Sequence, residues 1–257
     1  MFLPLVTVLL AGTVAAQFTQ SLDNVTQAFT KANVVPDVLP SFSPRALLNV
    51  TFTDASMQSV NVTPGILLTM EQTAQEPQFF FLANVTIPPG ITYVLSIVDP
   101  DAPTPQNTSI SQFRHFLGGG FTVDNTTGLL TNNTAALSDF MPPAPPTGSD
   151  PHRYVVLAYL QPDNFDSVAS QFVNASTDRQ NFNITTFAQA TNLGEPLAAN
   201  FFFTGPSDNS SSTGTSSSAS PSGTSPGGNG DTGGALGKPI IGGLTVSLGL
   251  LLSALLV

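Results

Sequence analysis

The sequence predicts a mainly β domain of the α+β class, with a few helices at its periphery, and three observations carry that prediction. Several runs alternate apolar and polar residues with period two. One run, Tyr93-Val94-Leu95-Ser96-Ile97-Val98, is almost continuously apolar, as a strand covered on both faces should be. Only two segments show helical spacing, and they lie near the two ends of the candidate domain.

Taken in chain order, Leu22, Val25, Phe29 and Ala32 recur on one helical face before Pro36, which predicts a short amphipathic helix. After turn-rich residues 36–44, strands are predicted at 47–53, 79–85, 91–98, 113–121 and 154–160. Phe182, Thr185, Phe187, Ala190 and Leu193 predict a second helix, closed by Gly194 in the C′ position ahead of Pro196. The aromatic strand 200–203 completes the domain. There is no internal repeat and no coiled-coil heptad.

The domain is expected to span residues 17–205 between two different kinds of terminus. Residues 1–16 are almost wholly apolar and stop at Val14-Ala15-Ala16, a pattern that signal peptidase accepts, so a secretory leader cleaved before Gln17 is expected. Residues 206–238 are dominated by Ser, Gly, Thr and Pro, a composition that cannot bury enough apolar area to offset chain entropy, which predicts a disordered stalk. Residues 239–257 carry no charged side chain and stop without a basic cytosolic flank. With the small residues Gly228, Asn229 and Gly230 upstream, they resemble a signal for lipid-anchor attachment at Asn229; a retained single span is the alternative. A mature product on the outer face of the plasma membrane or cell wall follows.

Ten Asn-x-Ser/Thr sequons, at Asn24, Asn49, Asn61, Asn84, Asn107, Asn125, Asn132, Asn174, Asn183 and Asn209, fit that compartment and predict a glycoprotein. There is no cysteine, so stability in an oxidising lumen must come from the core alone. A domain of this length buries about 70% of its unfolded surface, which suffices. Six Lys and Arg against sixteen Asp and Glu give a net charge of −10, and the basic residues are scattered. Nucleic-acid binding is thereby excluded, and any anionic ligand has to be held locally, in a pocket.

The chemistry-bearing residues are few. The apolar run ends at Asp99-Pro100-Asp101-Ala102-Pro103, which sets two carboxylates at a strand's mouth. The two histidines, His115 and His152, lie in or beside predicted strands rather than in polar loops. Each taken singly is most simply a satisfied core histidine. Two histidines with Asp99 or Asp101 could also form a two-His-one-carboxylate metal site, although short ligand spacing is lacking. A catalytic carboxylate pair is the weaker account of Asp99 and Asp101, because prolines on either side favour one of them capping the turn. Residues 223–227 match the nucleophile-elbow pattern, but with no strand before or helix after them the match is coincidental. No nucleophile is identifiable, so no catalytic residue, cofactor or metal is expected.

Taken together, the order of motifs is specific. DPDAP is followed by a strand carrying aromatic-x-His at Phe113 to His115, then by the proline-rich loop 142–146, then by His152-Arg153-Tyr154 entering an apolar strand, and finally by the segment from Phe182 to Phe201. Across residues 22–203 this resembles the phosphatidylethanolamine-binding protein family. The resemblance implies a large antiparallel β-sandwich with peripheral helices, and a small pocket lined by Asp99, Pro103, His115, Pro146, His152 and Tyr154. The sequence departs from the family's usual pattern in four places: Phe113 stands for tryptophan, Arg114 for histidine, Ala144 for glycine, and the run Gly118-Gly119-Gly120 interrupts an apolar strand.

Such a pocket suits an anion, with imidazole and phenol donors, Asp99 to fix an imidazole, and prolines as rigid walls without N–H groups. Strand alternation turns Arg153 away from it, toward a structural ion pair. The implied function is a non-enzymatic module binding a phospholipid headgroup or another small anion. The residues 34–42 and the N-terminal helix also resemble the carboxypeptidase-inhibitor branch of the family, which makes a serine carboxypeptidase the alternative partner.

Overall fold

The computed structural model describes residues 21–207. The leader, nearly all of the stalk, the apolar tail, Asn209, Asn229 and residues 223–227 lie outside the described residues.

Nine strands and four helical segments follow one another: helix α1 (residues 21–31), α2 (Val34–Asp37), β1 (Leu47–Thr53), β2 (Ser59–Asn61), β3 (Ile66–Leu68), β4 (Gln78–Leu82), β5 (Tyr93–Asp99), β6 (Phe113–Val123), β7 (Leu130–Thr131), β8 (His152–Leu160), α3 (Phe165–Ala169), α4 (Ile184–Ala190) and β9 (Ala198–Thr204). They form a three-stranded sheet, β2-β1-β4, and a six-stranded sheet, β3-β9-β8-β5-β6-β7. Pairing is antiparallel except between β3 and β9, so the larger sheet is mixed.

Alternation along the strands builds two cores. Leu95, Ile97, Tyr154, Val156 and Phe202 face Leu48, Val50, Phe52, Phe79 and Phe81 across the gap between the sheets. On the other face, Val94, Val98, Val155, Leu157 and Phe201 pack beneath Phe29 of α1, Phe165 of α3 and Phe187 of α4. All seven residues of β5 are therefore buried, as its continuous apolar run predicts. Phe29 is fixed by stacking on Phe42 at 4.7 Å and by edge contact with Phe201 at 5.2 Å.

Helix ends differ from expectation. Helical backbone resumes beyond α1 and runs past Pro36 as the single turn α2, which tolerates the proline because its second residue, Val35, is non-helical. Asn183 caps α4 by accepting the Thr186 N–H at 2.8 Å. At the other end Asn192, with φ +56°, is the left-handed residue. Leu193 N–H bonds the Ala188 carbonyl at 2.9 Å and Asn192 N–H reaches that of Gln189. That is a Schellman closure formed before Gly194 is reached.

The three glycines of β6 do not interrupt it. Tyr93 pairs with Phe121 and Leu95 with Gly118, so β6 carries an extra residue here. Side chains are missing where rings pass: a Cβ on Gly118 would meet Phe116 at 2.9 Å, and one on Gly119 would meet Phe165 at 2.8 Å.

Candidate functional site

The site forms at one end of the six-stranded sheet, because β5 runs antiparallel to both its neighbours. Its last residue, Asp99, pairs with Phe113 at the start of β6, and Val98 pairs with Val155 near the start of β8. His115 and His152, far apart in sequence, are thus delivered to the same carboxylate.

A second register shift sets His115. Ile97 pairs with Phe116 and Val98 with Arg114, which leaves His115 as the extra residue of a β-bulge. Consequently Arg114 turns to the helix side, while His115 and Phe116 both face the gap between the sheets. There the His115 ring meets Tyr154 edge-on at 5.0 Å and Phe113 at 5.0 Å.

All four polar groups of the cluster, Asp99, His115, His152 and Tyr154, are at most 5% exposed. Asp99 Oδ2 accepts from His152 Nδ1 at 2.8 Å, and Asp99 Oδ1 accepts the Asp101 N–H at 2.8 Å, so Asp99 also holds the turn. His152 Nε2 lies 3.0 Å from the Ser149 hydroxyl. His115 Nδ1 donates to the Met141 carbonyl at 2.7 Å, which assigns the tautomer and leaves Nε2 facing Asp99 Oδ2 at 4.0 Å. Burial pushes the His115 imidazole below its ordinary value, opposed by the Met141 carbonyl and the Asp99 charge. Burial, then Asp99 and Asp101, push the Tyr154 hydroxyl far upward, so it stays protonated.

Among the residues expected to line the pocket, Asp99, His115, His152 and Tyr154 thus come together. Pro103 is half-buried in the turn after Asp99. Pro146 is exposed, a correction to its expected place as a wall: Pro143 and Pro145 are the buried prolines of the loop, and Pro146 supports Ser149 by accepting its N–H at 3.0 Å. Asp99 fixes the His152 ring, the role expected of it. Among the described residues, both nitrogens of His152 have hydrogen-bond partners and His115 Nε2 has none.

Ser149 is the residue sequence reasoning missed. Its hydroxyl, His152 and Asp99 stand in the connectivity of a nucleophile, base and orienting acid, yet the hydroxyl also donates to the Asp150 carbonyl at 2.8 Å. Its position three residues before His152 was the available signal. Among the described residues, no three His, Cys, Asp or Glu side chains are placed to share a metal ion.

Arg153 points away from the cluster, as alternation requires. It grips Asp101 through Nε at 2.9 Å and Nη2 at 2.6 Å, and through Nη1 it reaches Asp37 and the Ala32 carbonyl, both at 2.8 Å. The turn after β5 is thereby fastened to the N-terminal helices.

Comparison with known proteins agrees with this architecture. A sequence profile for the family described as phosphatidylethanolamine-binding protein matches residues 40–202. A 26 kDa secreted antigen of Toxocara canis is 33% identical over 175 residues, which are 68% of this chain and 62% of the antigen. The carboxypeptidase Y inhibitor of Saccharomyces cerevisiae is 31% identical, over 68% of this chain and 92% of the inhibitor. The structure of a carboxypeptidase Y inhibitor complexed with its cognate proteinase superposes with a TM-score of 0.61 at 28% identity, covering 72% of this chain and 96% of the inhibitor.

Proposed function

Because the chain belongs to the phosphatidylethanolamine-binding protein family, we propose that its histidine cluster binds a small anion, of the kind a phosphorylated headgroup presents, without catalysing a reaction. The observation that carries this reading is the convergence of His115 and His152 on Asp99. Protonation at His115 Nε2 creates a donor where the neutral ring has a lone pair. His152 keeps its Nδ1–H on Asp99, which fixes the carboxylate that His115 Nε2 faces. Affinity therefore rises as pH falls, and binding in turn draws the His115 imidazole back up.

Calorimetry with phosphoethanolamine and with inorganic phosphate tests the proposal. Saturable heat that grows from about pH 7.5 to about pH 5.5 and is lost in His115→Gln and His152→Ala supports it. Absence of heat with either ligand at both pH values, or equal heat in folded variants, overturns it. Heat with phosphoethanolamine alone assigns a headgroup rather than a free anion.

The likeness to the carboxypeptidase Y inhibitor favours a second reading, inhibition of a serine carboxypeptidase through the N-terminal segment. Phe29 and Val34 are wholly buried, so deleting this segment would remove core. Substitution of its exposed residues Asp23, Gln27 and Lys31 is the cleaner test: loss of inhibition there, with retention in His152→Ala, would establish this reading.

The compartment belongs to the same proposal: secretion, N-glycosylation and a lipid anchor at the outer surface. Nine of the ten sequon asparagines are described, and eight are exposed. Asn132 is half-buried with its Nδ2 donated to the Gly119 carbonyl at 3.0 Å, and Asn125, though exposed, donates its Nδ2 to the Ile87 carbonyl at 3.0 Å, so these two are expected to stay bare.

A further inference from the structure

The opposite face of β6 carries a charge that the histidine cluster does not use. Arg114 is only 1% exposed, its guanidinium lies 4.9 Å over the Phe182 ring, and among the described residues no carboxylate comes within ion-pairing distance of it. A guanidinium has five N–H groups to satisfy. One bond is made, from Nη2 to the Thr177 carbonyl at 3.0 Å, and the buried Nε has no partner.

Its close neighbour in charge is Arg179, whose Nη1 donates to the carbonyls of Arg114 and His115, so two cations share this region. Burial and then Arg179 hold the Arg114 guanidinium down to about 10, with Asp178 opposing, and it remains charged at neutral pH. Burying a cation without a counter-ion is costly, and a residue needed only for volume would be apolar. The position therefore has the character of a prepared anion site.

Beside it lies a cavity of about 310 Å³, lined by Arg114 together with Phe172, Val173, Phe182, Asp178 and Phe187. That volume suits a small organic molecule. Phenyl and aliphatic groups form one part of the wall beside the polar Thr177, Gln180 and Thr186, and Asp178 in the lining opposes a doubly charged ligand. A monoanion with an apolar body satisfies both constraints, and a carboxylate matches the planar fork of arginine.

We propose that this cavity is a second binding site, separate from the histidine cluster, for a small amphipathic carboxylate. The carboxylate pairs with the Arg114 guanidinium, and the apolar body packs against Phe172, Val173 and Phe187. The inference does not rest on the headgroup reading.

The test titrates the full chain with phenylacetate, with acetate and inorganic phosphate as comparison ligands, by calorimetry and by the Arg114 Nε–H resonance. Phenylacetate is expected to bind saturably and to shift that resonance, with acetate and phosphate weaker by about tenfold or more when read at the same resonance. Arg114→Met, which replaces the charge by an apolar chain of similar reach, lowers phenylacetate affinity by about tenfold or more while keeping or raising Tm. Excess phosphoethanolamine leaves the phenylacetate affinity unchanged.

An unmoved Arg114 resonance at tens of millimolar phenylacetate, or equal affinity in Arg114→Met, overturns the site. Competition by phosphoethanolamine at the Arg114 resonance overturns its separateness, and phosphate moving that resonance at lower concentration than phenylacetate overturns the ligand class. The resonance needs no variant, so the test stands even where Arg114→Met does not fold.

Discussion

Removal of the Asp99 carboxylate probes the cluster directly. Asp99 is 3% exposed, and two buried donors depend on it, His152 Nδ1–H and Asp101 N–H. Asp99→Ala strands both. Each unmet buried donor costs about 1–3 kcal/mol, which sums to about 4 kcal/mol at mid-range. A domain of this size loses about 2–4 °C per kcal/mol, so Tm should fall by about 8–16 °C.

Asp99→Asn separates shape from charge. The amide oxygen can still accept the Asp101 N–H. His152 then shifts its proton to Nε2, so that Nδ1 accepts from the amide and Nε2–H donates to Ser149, whose own proton is already directed at the Asp150 carbonyl. No buried donor is left unmet, and the cost should be about 1 kcal/mol. Urea denaturation of both variants at about pH 7.5 measures the difference, at a pH where histidine is mostly neutral in the unfolded chain. Asp99→Ala within about 0.5 kcal/mol of the parent, or Asp99→Asn as costly as Asp99→Ala, would refute the reasoning.

Further outcomes follow from the same contacts. Arg153→Met leaves the buried Asp101 carboxylate without its guanidinium partner and should cost about 3–5 kcal/mol by urea denaturation. His115 is held below its ordinary value, so the unfolded chain takes up the proton first: stability is full above about pH 6.5 and declines as pH falls below it, with a slope no steeper than about 1.4 kcal/mol per pH unit. His115→Gln should flatten that decline, and an unchanged slope would remove His115 as its source. Gly120 sits at φ +72°, and a Cβ there would fall against Thr134 Oγ1, so Gly120→Ala should lower stability by about 1–3 kcal/mol and Tm with it.

What was readable in the sequence is what local pattern encodes. The long strands β1, β5, β6, β8 and β9 announce themselves because each needs apolar residues at fixed intervals over seven residues or more. Strands of two or three residues, such as β2, β3 and β7, and the five-residue helix α3 are too short to display a period. The parallel pairing of β3 with β9 joins residues over 130 positions apart, and nothing local specifies it. Within the site, the residue types were visible and their states were not. The bulge at His115 is a property of two strands read together, and the engagement of His152 by Ser149 depends on the loop that carries it. Asn192 took the helix-ending position expected of Gly194 because asparagine also tolerates left-handed backbone.

The grip of Arg153 has one further result. Asp99 holds the Asp101 amide, Asp101 holds Arg153, and Arg153 holds Ala32 and Asp37, so three successive attachments connect the imidazoles to the first helices of the domain. Free-energy coupling runs equally in both directions along such a chain. A macromolecule that levers the N-terminal helices off the sheet would retune proton uptake at His115 and the anion binding proposed there, and occupancy of that proposed site would alter how readily those helices lift.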